Sequence, residues 1–358
     1  MKAVKFACGM LVAIPLAFSN GASAQQFSGR VVTMIVNYSP GGATDVDARI
    51  VARHLPKHLQ GVGSVVVRNV GGAGGNIGVN QLGESSERDR LNIGFFTWDP
   101  VAQLVQEDSL HVRYNDLKFI AGFSQPQLVY IRRDTPPGIN RSADVVKAGL
   151  FKAGALGPSV HGTIRERLAL DLLGAKYETI TGYKGLNDID LAIRQGDLQL
   201  GFNSLSGYFS TVKPNLVDTG IVMPLFQYDY VRADGSFGRH PALPDVPAFT
   251  EVYKDVMGQA AVPSGEKWQA LRMLTRIIDS MSRTVFMPPN APAAAVAEMR
   301  GAFEKLALDS EFVADYEKVS RTKPRFSIGA EGEAIIAELG KVQPSFLNFF
   351  RNFVNAGR

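Results

Sequence analysis

The chain has 358 residues, of which 45% are hydrophobic and 20% charged, with a formal net charge of +4. This composition is that of a globular protein with a sizeable core, organised as two domains or as one large one. No basic tract and no stripe of alternating aromatic and basic residues is present, which argues against nucleic acid as a partner.

The first 24 residues have the pattern of a cleavable export signal. Lys2 and Lys5 precede an apolar stretch at 6–18, and Ala22-Ser23-Ala24 is a small-residue cleavage site. The apolar stretch is shorter than the roughly 20 residues that a membrane-spanning helix needs. We therefore predict a signal peptide at 1–24 rather than a membrane anchor.

Cleavage before Gln25 would remove the only cysteine, Cys8. The mature protein would then contain no disulfide, and a chain of this length can be held together by core burial alone. No later segment approaches 18 uninterrupted apolar residues, so we expect the mature protein to be soluble.

The residues after Arg30 alternate between short strand-like runs and amphipathic stretches. Strands are predicted at 31–37, 65–69 and 92–96, with a helix at 46–59 and a glycine-rich turn and short helix before the third strand. This order is typical of a parallel sheet that is covered by helices on both faces.

A second unit of similar size follows. Its predicted strands are 128–132, a strand ending at 155–156, 177–181, 198–202 and 221–227, and its predicted helices are 164–173 and 186–195. Thr163 and Glu166 have the spacing of a capping box at the start of the first of these helices. The last third is mainly helical, with Pro292 in the first turn of one helix and Pro344 interrupting another.

The loop from Tyr38 to Asp45, Tyr-Ser-Pro-Gly-Gly-Ala-Thr-Asp, joins the first strand to the first helix. Gly41 and Gly42 permit positive φ and expose backbone N–H groups, and Thr44 or Asp45 would cap the helix. The N-terminus of a helix has unpaired N–H groups and a partial positive charge. The loop is therefore suited to an anion without a lysine or arginine, although a tight turn that binds nothing is an equal alternative.

A second glycine-rich loop, 71–78, follows the next strand and opens the next helix. In a parallel sheet the two loops lie side by side at the carboxyl ends of adjacent strands, where ligands bind. Two adjacent amide-rich loops suit a small carboxylate or a phosphate. The third glycine of a dinucleotide fingerprint is replaced by Ile77, and no Gly-Lys-Ser/Thr motif occurs, so we predict no nucleotide cofactor.

Catalytic and metal-binding patterns are weak. His54 and His58 are four residues apart, but Leu55 replaces the glutamate of a zinc protease, and we place both histidines at the edge of a surface helix. No Gly-x-Ser-x-Gly elbow occurs. Asp45 and Asp47 are interpreted as a helix cap and a solvated acid. We therefore predict no catalytic residue, no metal and no cofactor.

The second unit contains a matching loop, 157–163, which again brings hydroxyl and amide groups to the start of a helix. Within it, Thr163 is interpreted as a structural cap, whereas Ser159 and His161 are expected to face a ligand. Tyr38 and Trp98 follow strand ends directly, and at those positions we favour walls of a binding site over core packing.

Four segments carry a resemblance to a known family: YSPGGATDVDAR, VRNVGGAGGNIGVNQL, ITGYKGLNDIDLAIRQGDLQL and ALPDVPAF. They resemble, in the same order along nearly the whole mature chain, the periplasmic solute receptors of tripartite tricarboxylate transporters, also called the Bug family. The resemblance implies an α/β fold of the periplasmic binding protein or Venus flytrap type, with two lobes that each consist of a sheet flanked by helices.

The resemblance also implies a site for a small carboxylate or related organic solute. The Gly41–Asp45 and Gly74–Asn76 loops would hold one carboxylate through backbone amides and bridging water, and the opposite lobe, around Ser159, His161 and the loop 183–185, would contact the rest of the ligand. The predicted ligand contacts are Tyr38, Gly41, Gly42, Ala43, Thr44, Asp45, Gly74, Gly75, Asn76, Trp98, Ser159, His161 and Tyr183.

The chain departs from the family in two places. Residues 86–91, Ser-Glu-Arg-Asp-Arg-Leu, replace the usual Pro-Asp-Gly-Tyr-Thr-like turn, and Thr97-Trp98-Asp99 replaces small residues after the third strand. The bulk of Trp98 calls the usual size of the site into question, so no particular ligand is carried over.

We predict a periplasmic solute-binding protein that delivers its ligand to a membrane permease of the tripartite tricarboxylate type, and not an enzyme. Lobe 1 would comprise 25–125 and 228–358, and lobe 2 the inserted residues 126–227, with strands at 126–132 and 221–227 as the hinge. We expect a monomer whose ligand is a small organic acid. The alternatives are an exported enzyme that acts on a carboxylate substrate through His161, and a receptor that signals to a sensor.

Overall fold

The computed structural model describes residues 26–231 and 236–357, so the predicted signal peptide lies outside the described residues. The strands are β1 Val31–Val36, β2 Ser64–Asn69, β3 Ile93–Thr97, β4 Lys118–Phe123, β5 Gln127–Arg132, β6 Phe151–Gly154, β7 Tyr177–Ile180, β8 Leu200–Ser204, β9 Val222–Gln227, β10 Tyr230–Val231, β11 Phe237–Gly238, β12 Arg283–Met287 and β13 Phe326–Ile328. Each strand predicted from the sequence therefore has a counterpart within a few residues of the expected bounds.

Helices cover both sheets that these strands form. They are α1 Ala43–His54, α2 Asn76–Gly83, α3 Pro100–Val105, α4 His161–Leu173, α5 Leu186–Gln195, α6 Leu205–Gly207, α7 Phe249–Met257, α8 Gly265–Ser280, α9 Ala293–Leu308, α10 Ser310–Ser320, α11 Ala330–Ala337 and α12 Pro344–Asn355. A π-helix, Tyr208–Val217, directly continues α6. None of the helices in the described ranges has the length and apolar character to cross a membrane.

The first sheet has the strand order β13-β4-β12-β3-β1-β2. As predicted, β1 pairs in parallel with both β2 and β3, but β12, β4 and β13 extend the sheet with antiparallel pairs. Side chains alternate between the faces of a strand. Val32, Met34 and Val36 therefore point into one core and Ile35 into another, which gives the sheet two buried faces.

The second sheet has the order β7-β6-β8-β5-β9. Its β6 strand is parallel to β7 and β8, and β5 is antiparallel to β8 and β9. The two mixed sheets, each flanked by helices, confirm the predicted two-lobed α/β fold.

The C-terminal part of the chain is shared between the two sheets. Helices α9 and α10 contribute Phe303 and Phe312 to a core of the first sheet. In contrast, α7, α8 and α12 contribute Phe249, Leu271 and Phe350 to the core of the second sheet. The predicted assignment of all residues after 228 to lobe 1 is therefore at odds with this packing, while the lobe boundaries themselves stay a prediction.

Helix α4 starts earlier than predicted, whereas the position of Pro344 at the start of α12 agrees with the prediction. Helix α4 begins at His161 rather than 164, with Val160 at its N-cap. Thr163 and Glu166 therefore lie inside the helix, where their buried oxygens lack hydrogen-bond partners among the described residues, so the predicted capping box is wrong. Pro344 occupies the first turn of α12, where the missing N–H has no cost, and separates α12 from α11 as predicted.

Candidate ligand-binding site

The loops after β1 and β2 are joined by hydrogen bonds, as the parallel pairing predicted. The Tyr38 hydroxyl donates to the carbonyl oxygen of Gly74 at 2.8 Å, and the Asn69 amide donates to the carbonyl oxygen of Tyr38 at 2.9 Å. Gly74 and Gly75 have φ values of 65° and 96°, which favour glycine. These hydrogen bonds therefore hold the second loop against the first one.

The first loop has a different geometry from the expected one. Helix α1 begins at Ala43 with Gly42 at its N-cap, so Thr44 and Asp45 lie inside the first turn and do not cap the helix. Gly41 has a φ of 81°, whereas Gly42, at −78°, is in an ordinary extended conformation. The Asp45 carboxylate accepts the Gly41 N–H at 2.8 Å, so one of the amides expected to hold an anion already has a partner.

A narrow cavity lies between the start of α1 and the second sheet. Both sheets contribute to its walls, as expected for a cleft between two lobes. The residues that line it are Tyr38, Gly42, Ala43, Thr44, Thr97, Gln127, Leu156, Val160, His161, Leu186, Phe202, Ser204 and Arg283.

Arg283, at the start of β12, is the main residue that sequence reasoning missed. Its guanidinium is 2% exposed and forms an ion pair with Asp47, which is fully buried, at 2.8 Å. It also donates to the hydroxyls of Thr97 and Ser204, both at 2.9 Å. Burial raises the pKa of Asp47, and the charge of Arg283 opposes that rise.

Two sequence expectations are thereby corrected. Asp47 is a buried ion-pair partner and not a solvated acid, and the site contains an arginine instead of a wholly neutral amide cradle. A buried arginine without a partner would be costly, and Asp47 removes that cost while the cavity is empty. The only sequence signal was a positive charge beginning an otherwise apolar strand, since nothing local indicates Asp47 as its partner.

His161 lines the cavity from the second sheet, as predicted. Its backbone N–H donates to the Asp99 carboxylate at 3.2 Å, and its Nε2 lies 3.3 Å from the amide nitrogen of Gln127. Arg165 approaches the amide oxygen of Gln127 at 3.4 Å, which orients the amide nitrogen towards the imidazole. Burial lowers the pKa of His161 to about 3, helped by the positive charges of Arg165 and Arg283, so the ring is neutral at ordinary pH.

This low pKa gives a testable pH dependence. The unfolded chain takes up a proton on His161 near its ordinary pKa of 6.5, but the folded protein does so only near pH 3. The contribution of His161 to stability is thus complete above pH 6.5 and falls with decreasing pH, by up to about 1.4 kcal/mol per pH unit. Urea unfolding between pH 7 and 5 should show a steeper loss in the wild type than in His161→Gln; parallel curves would contradict the assignment.

Several predicted contacts lie away from the cavity. The Asn76 side chain donates to the Ser109 hydroxyl at 2.9 Å. Trp98 is fully buried, and its ring lies 6.4 Å from that of Tyr114, so Trp98 is a core residue and not a wall of the site. Ser159 is buried and Tyr183 half-buried, and neither belongs to the cavity lining. The structure thus brings Tyr38, Gly42, Ala43, Thr44 and His161 to the cavity, and Gly41, Asp45, Gly74, Gly75, Asn76, Trp98, Ser159 and Tyr183 lie outside its lining.

Contacts between the first loop and residues 184–188, at the start of α5, lie beside the cavity; we call them the clasp. The Ser39 N–H donates to the carbonyl oxygen of Lys184, and its hydroxyl donates to Asp188, both at 3.1 Å. The Asn187 amide donates to the carbonyl oxygen of Pro40 at 3.1 Å. Within the predicted loop 183–185, Lys184 takes part in the clasp through its carbonyl oxygen.

His54 and His58 are more enclosed than expected. The Nε2 atom of His54, which is 4% exposed, lies 2.9 Å from Asp315, and that of His58 lies 3.0 Å from Asp309. A compact group of metal-ligating residues in the described ranges, His54, Asp309 and Glu311, surrounds the ammonium group of Lys57, which is 3.2 Å from Nδ1 of His54. The carboxylates of Asp309 and Glu311 are therefore already paired with the Lys57 ammonium group.

Two helix-flanked sheets, with a cavity between them that loops from both sides close, define the fold of a periplasmic binding protein. The periplasmic binding protein BugD has a TM-score of 0.67 and 21% identity, covering 91% of this chain and 98% of that chain. MatC from Rhodopseudomonas palustris with bound malate has a TM-score of 0.66 and 17% identity, over 92% and 100% of the chains. A further R. palustris protein, with adipate, has a TM-score of 0.64 and 16% identity, over 91% and 98%.

Two curated proteins are similar in sequence. BugT of Bordetella pertussis is 45% identical over 64 residues, which cover 18% of this chain and 19% of BugT. A UPF0065 protein of Agrobacterium vitis is 24% identical over 226 residues, which cover 62% of this chain and 60% of that protein. The matches thus cover less than two thirds of either relative, and no protein-family model matches the chain. These relatives and BugD confirm the predicted resemblance to the Bug family. BugD is a periplasmic binding protein, and a further solved neighbour, with a TM-score of 0.67 and 17% identity, is a periplasmic transporter, which agrees with the prediction of a binding protein rather than an enzyme.

Proposed function

We propose that this protein is a periplasmic solute-binding protein that captures a small carboxylate-containing organic solute in the cavity between its sheets and delivers it to a membrane permease. The observation that carries the proposal is the buried guanidinium of Arg283 in the cavity wall, beside the N-terminus of α1. The solved neighbours with malate and adipate hold organic acids, which supports the same class of ligand here.

Arg283 can accept a carboxylate without giving up its own partners. Its Nη1 and Nη2 atoms donate to Thr97 and Ser204, and each nitrogen has a second N–H group for a ligand. Gly42, Ala43 and Thr44 line the same cavity at the start of α1, where backbone N–H groups and the helix dipole favour negative charge. Charge-assisted bonds in a site closed to water are stronger than in solution.

The clasp explains how binding would be coupled to closure. It joins the first loop, on one lobe, to residues 184–188 at the start of α5, on the other, so its bonds form only when the cleft is shut. A ligand shifts the equilibrium towards the closed form only by its preference for that form. We propose that the hinge lies at the strands 126–132 and 221–227, and that the permease recognises the closed form.

A thermal-shift screen followed by isothermal titration calorimetry tests the proposal. The purified mature protein is screened against mono-, di- and tricarboxylates, aromatic acids and amino acids. At a ligand concentration about 100 times its Kd, binding stabilises the folded state by about 2.7 kcal/mol, so at least one acid should raise the Tm clearly. The matched carboxamide of each hit is the control and should have no effect. A panel without a single hit would refute the carboxylate site.

Export and delivery need cellular measurements. Fractionation should recover the protein in the periplasm with residues 1–24 removed, as mass spectrometry of its N-terminus would show. Uptake of the radiolabelled acid identified by the screen should fall in cells that lack this protein and recover on complementation. Unchanged uptake would contradict delivery to a permease while leaving the binding site intact.

A further inference from the structure

The cavity is electrically asymmetric. Among the described residues that line it, Arg283 is the only one whose side chain has a formal charge at neutral pH. Its ion-pair partner Asp47 and the nearby Asp99, which accepts the His161 N–H, are both buried acids. The lining therefore provides one cationic group for a ligand, whereas the buried Arg165, which lies behind Gln127, is paired with Asp279 at 3.4 Å.

The side of the cavity formed by the second sheet and its helices is uncharged and largely apolar. Its apolar members are Leu156, Val160, Leu186 and Phe202, and its polar members are Gln127, His161 and Ser204. Burial keeps the imidazole of His161 neutral, since its pKa is lowered to about 3. This wall can pack against hydrocarbon, and its polar groups can form hydrogen bonds with neutral atoms, but it cannot neutralise a negative charge.

A second carboxylate on the ligand would therefore be buried without a partner. An ionised group that is removed from water and left unpaired costs several kcal/mol. The neighbours determined with malate and adipate, in contrast, hold acids with two carboxyl groups. Their ligand class does not match the charge distribution of this cavity.

We propose that the closed cavity selects organic acids with a single carboxylate and an uncharged, largely apolar body. The inference rests on the proposed function and specifies its ligand class. The carboxylate is bound by Arg283 and the start of α1, and the aliphatic or aromatic body packs against Leu156, Val160 and Phe202. A carbonyl or hydroxyl group on that body can form a hydrogen bond with Gln127.

Calorimetry with acids matched in size tests the inference. Butyrate is compared with succinate, benzoate with terephthalate, and succinamate with succinate, all at pH 7.5 so that each carboxyl group is ionised. We expect the monocarboxylate of a pair to bind at least about tenfold more tightly, which corresponds to 1.4 kcal/mol. If dicarboxylates bind equally or more tightly, the inference fails and the carboxylate receptor stands. If no acid of either kind binds, the proposed function itself fails.

A charge-insertion variant gives a second, independent test. Leu186 lines the cavity at the start of α5 and is only partly buried, so a longer side chain can be accommodated there. Leu186→Arg adds a second cation to the apolar side and should improve the affinity ratio of succinate to butyrate at least about tenfold. Leu186→Gln, which adds a polar group without charge, is the matched control and should leave that ratio unchanged. A folded Leu186→Arg protein that still prefers butyrate to the same degree would overturn the inference.

Discussion

Replacing Arg283 with methionine is expected to abolish carboxylate binding and to lower the free energy of unfolding by about 3–5 kcal/mol. The binding effect follows because Arg283 is the one cationic side chain among the described residues that line the cavity. The stability effect follows because Asp47, which is fully buried, loses its ion-pair partner at 2.8 Å. Urea denaturation and calorimetry with the acid identified by the screen measure the two effects separately.

The double variant Arg283→Met/Asp47→Leu separates binding from stability. Replacing both members of a buried ion pair by apolar residues of similar size is often neutral or even stabilising. The double variant should therefore regain most of the lost stability without regaining affinity for the acid. If it binds the acid as tightly as the wild type, Arg283 is a structural residue and the anion is held elsewhere.

Replacing Gly42 with valine is expected to weaken ligand binding at least about tenfold with little change in Tm. Gly42 lines the cavity and faces the clasp: a Cβ at this position would lie 3.1 Å from Oδ1 of Asn187, and the valine methyl groups would extend further. Its φ of −78° is suitable for valine, so the cause is crowding and not backbone strain. Overpacking typically costs 1–3 kcal/mol, and 1.4 kcal/mol is tenfold in affinity.

Gly149→Val is the matched control for this experiment. Gly149 is exposed, and a Cβ at that position would meet no atom within 4 Å. Calorimetry should therefore give the same affinity for Gly149→Val as for the wild type. An affinity of Gly42→Val equal to that of the control would show that the loop is only a turn between β1 and α1, the alternative that the sequence left open.

The elements of the fold could be predicted from the sequence because their signals are local. Apolar residues at strand or helix spacing, with glycines and prolines between them, placed β1, β2 and β3 and all five strands of the second sheet within a few residues of their observed bounds, whereas β4, β12 and β13 of the first sheet were missed. The adjacency of the loops at Gly41 and Gly74 followed from the parallel pairing of β1 with β2. Helix starts were less accurate, because the starts of α1 and α4 lack a side-chain cap that could be recognised in the sequence.

The charge of the site was decided only by the tertiary structure. Asp47 and Arg283 are 236 residues apart, and no local pattern pairs a helix residue of the first unit with the start of β12. Trp98, whose position after a strand suggested a cavity wall, turns into the core against Tyr114. Burial and ion pairing depend on which segments the folded chain packs together, and that packing also sets the pKa of His161.

By itself, the sequence determined two α/β units and a glycine-rich loop at a helix start, because backbone conformation follows from residue type and spacing over a few residues. The tertiary structure decided that this loop faces a cavity with one buried arginine, a neutral histidine and an apolar far side. The reason is that the free energy of a charge depends on everything around it, and the groups around Arg283 come from distant parts of the chain.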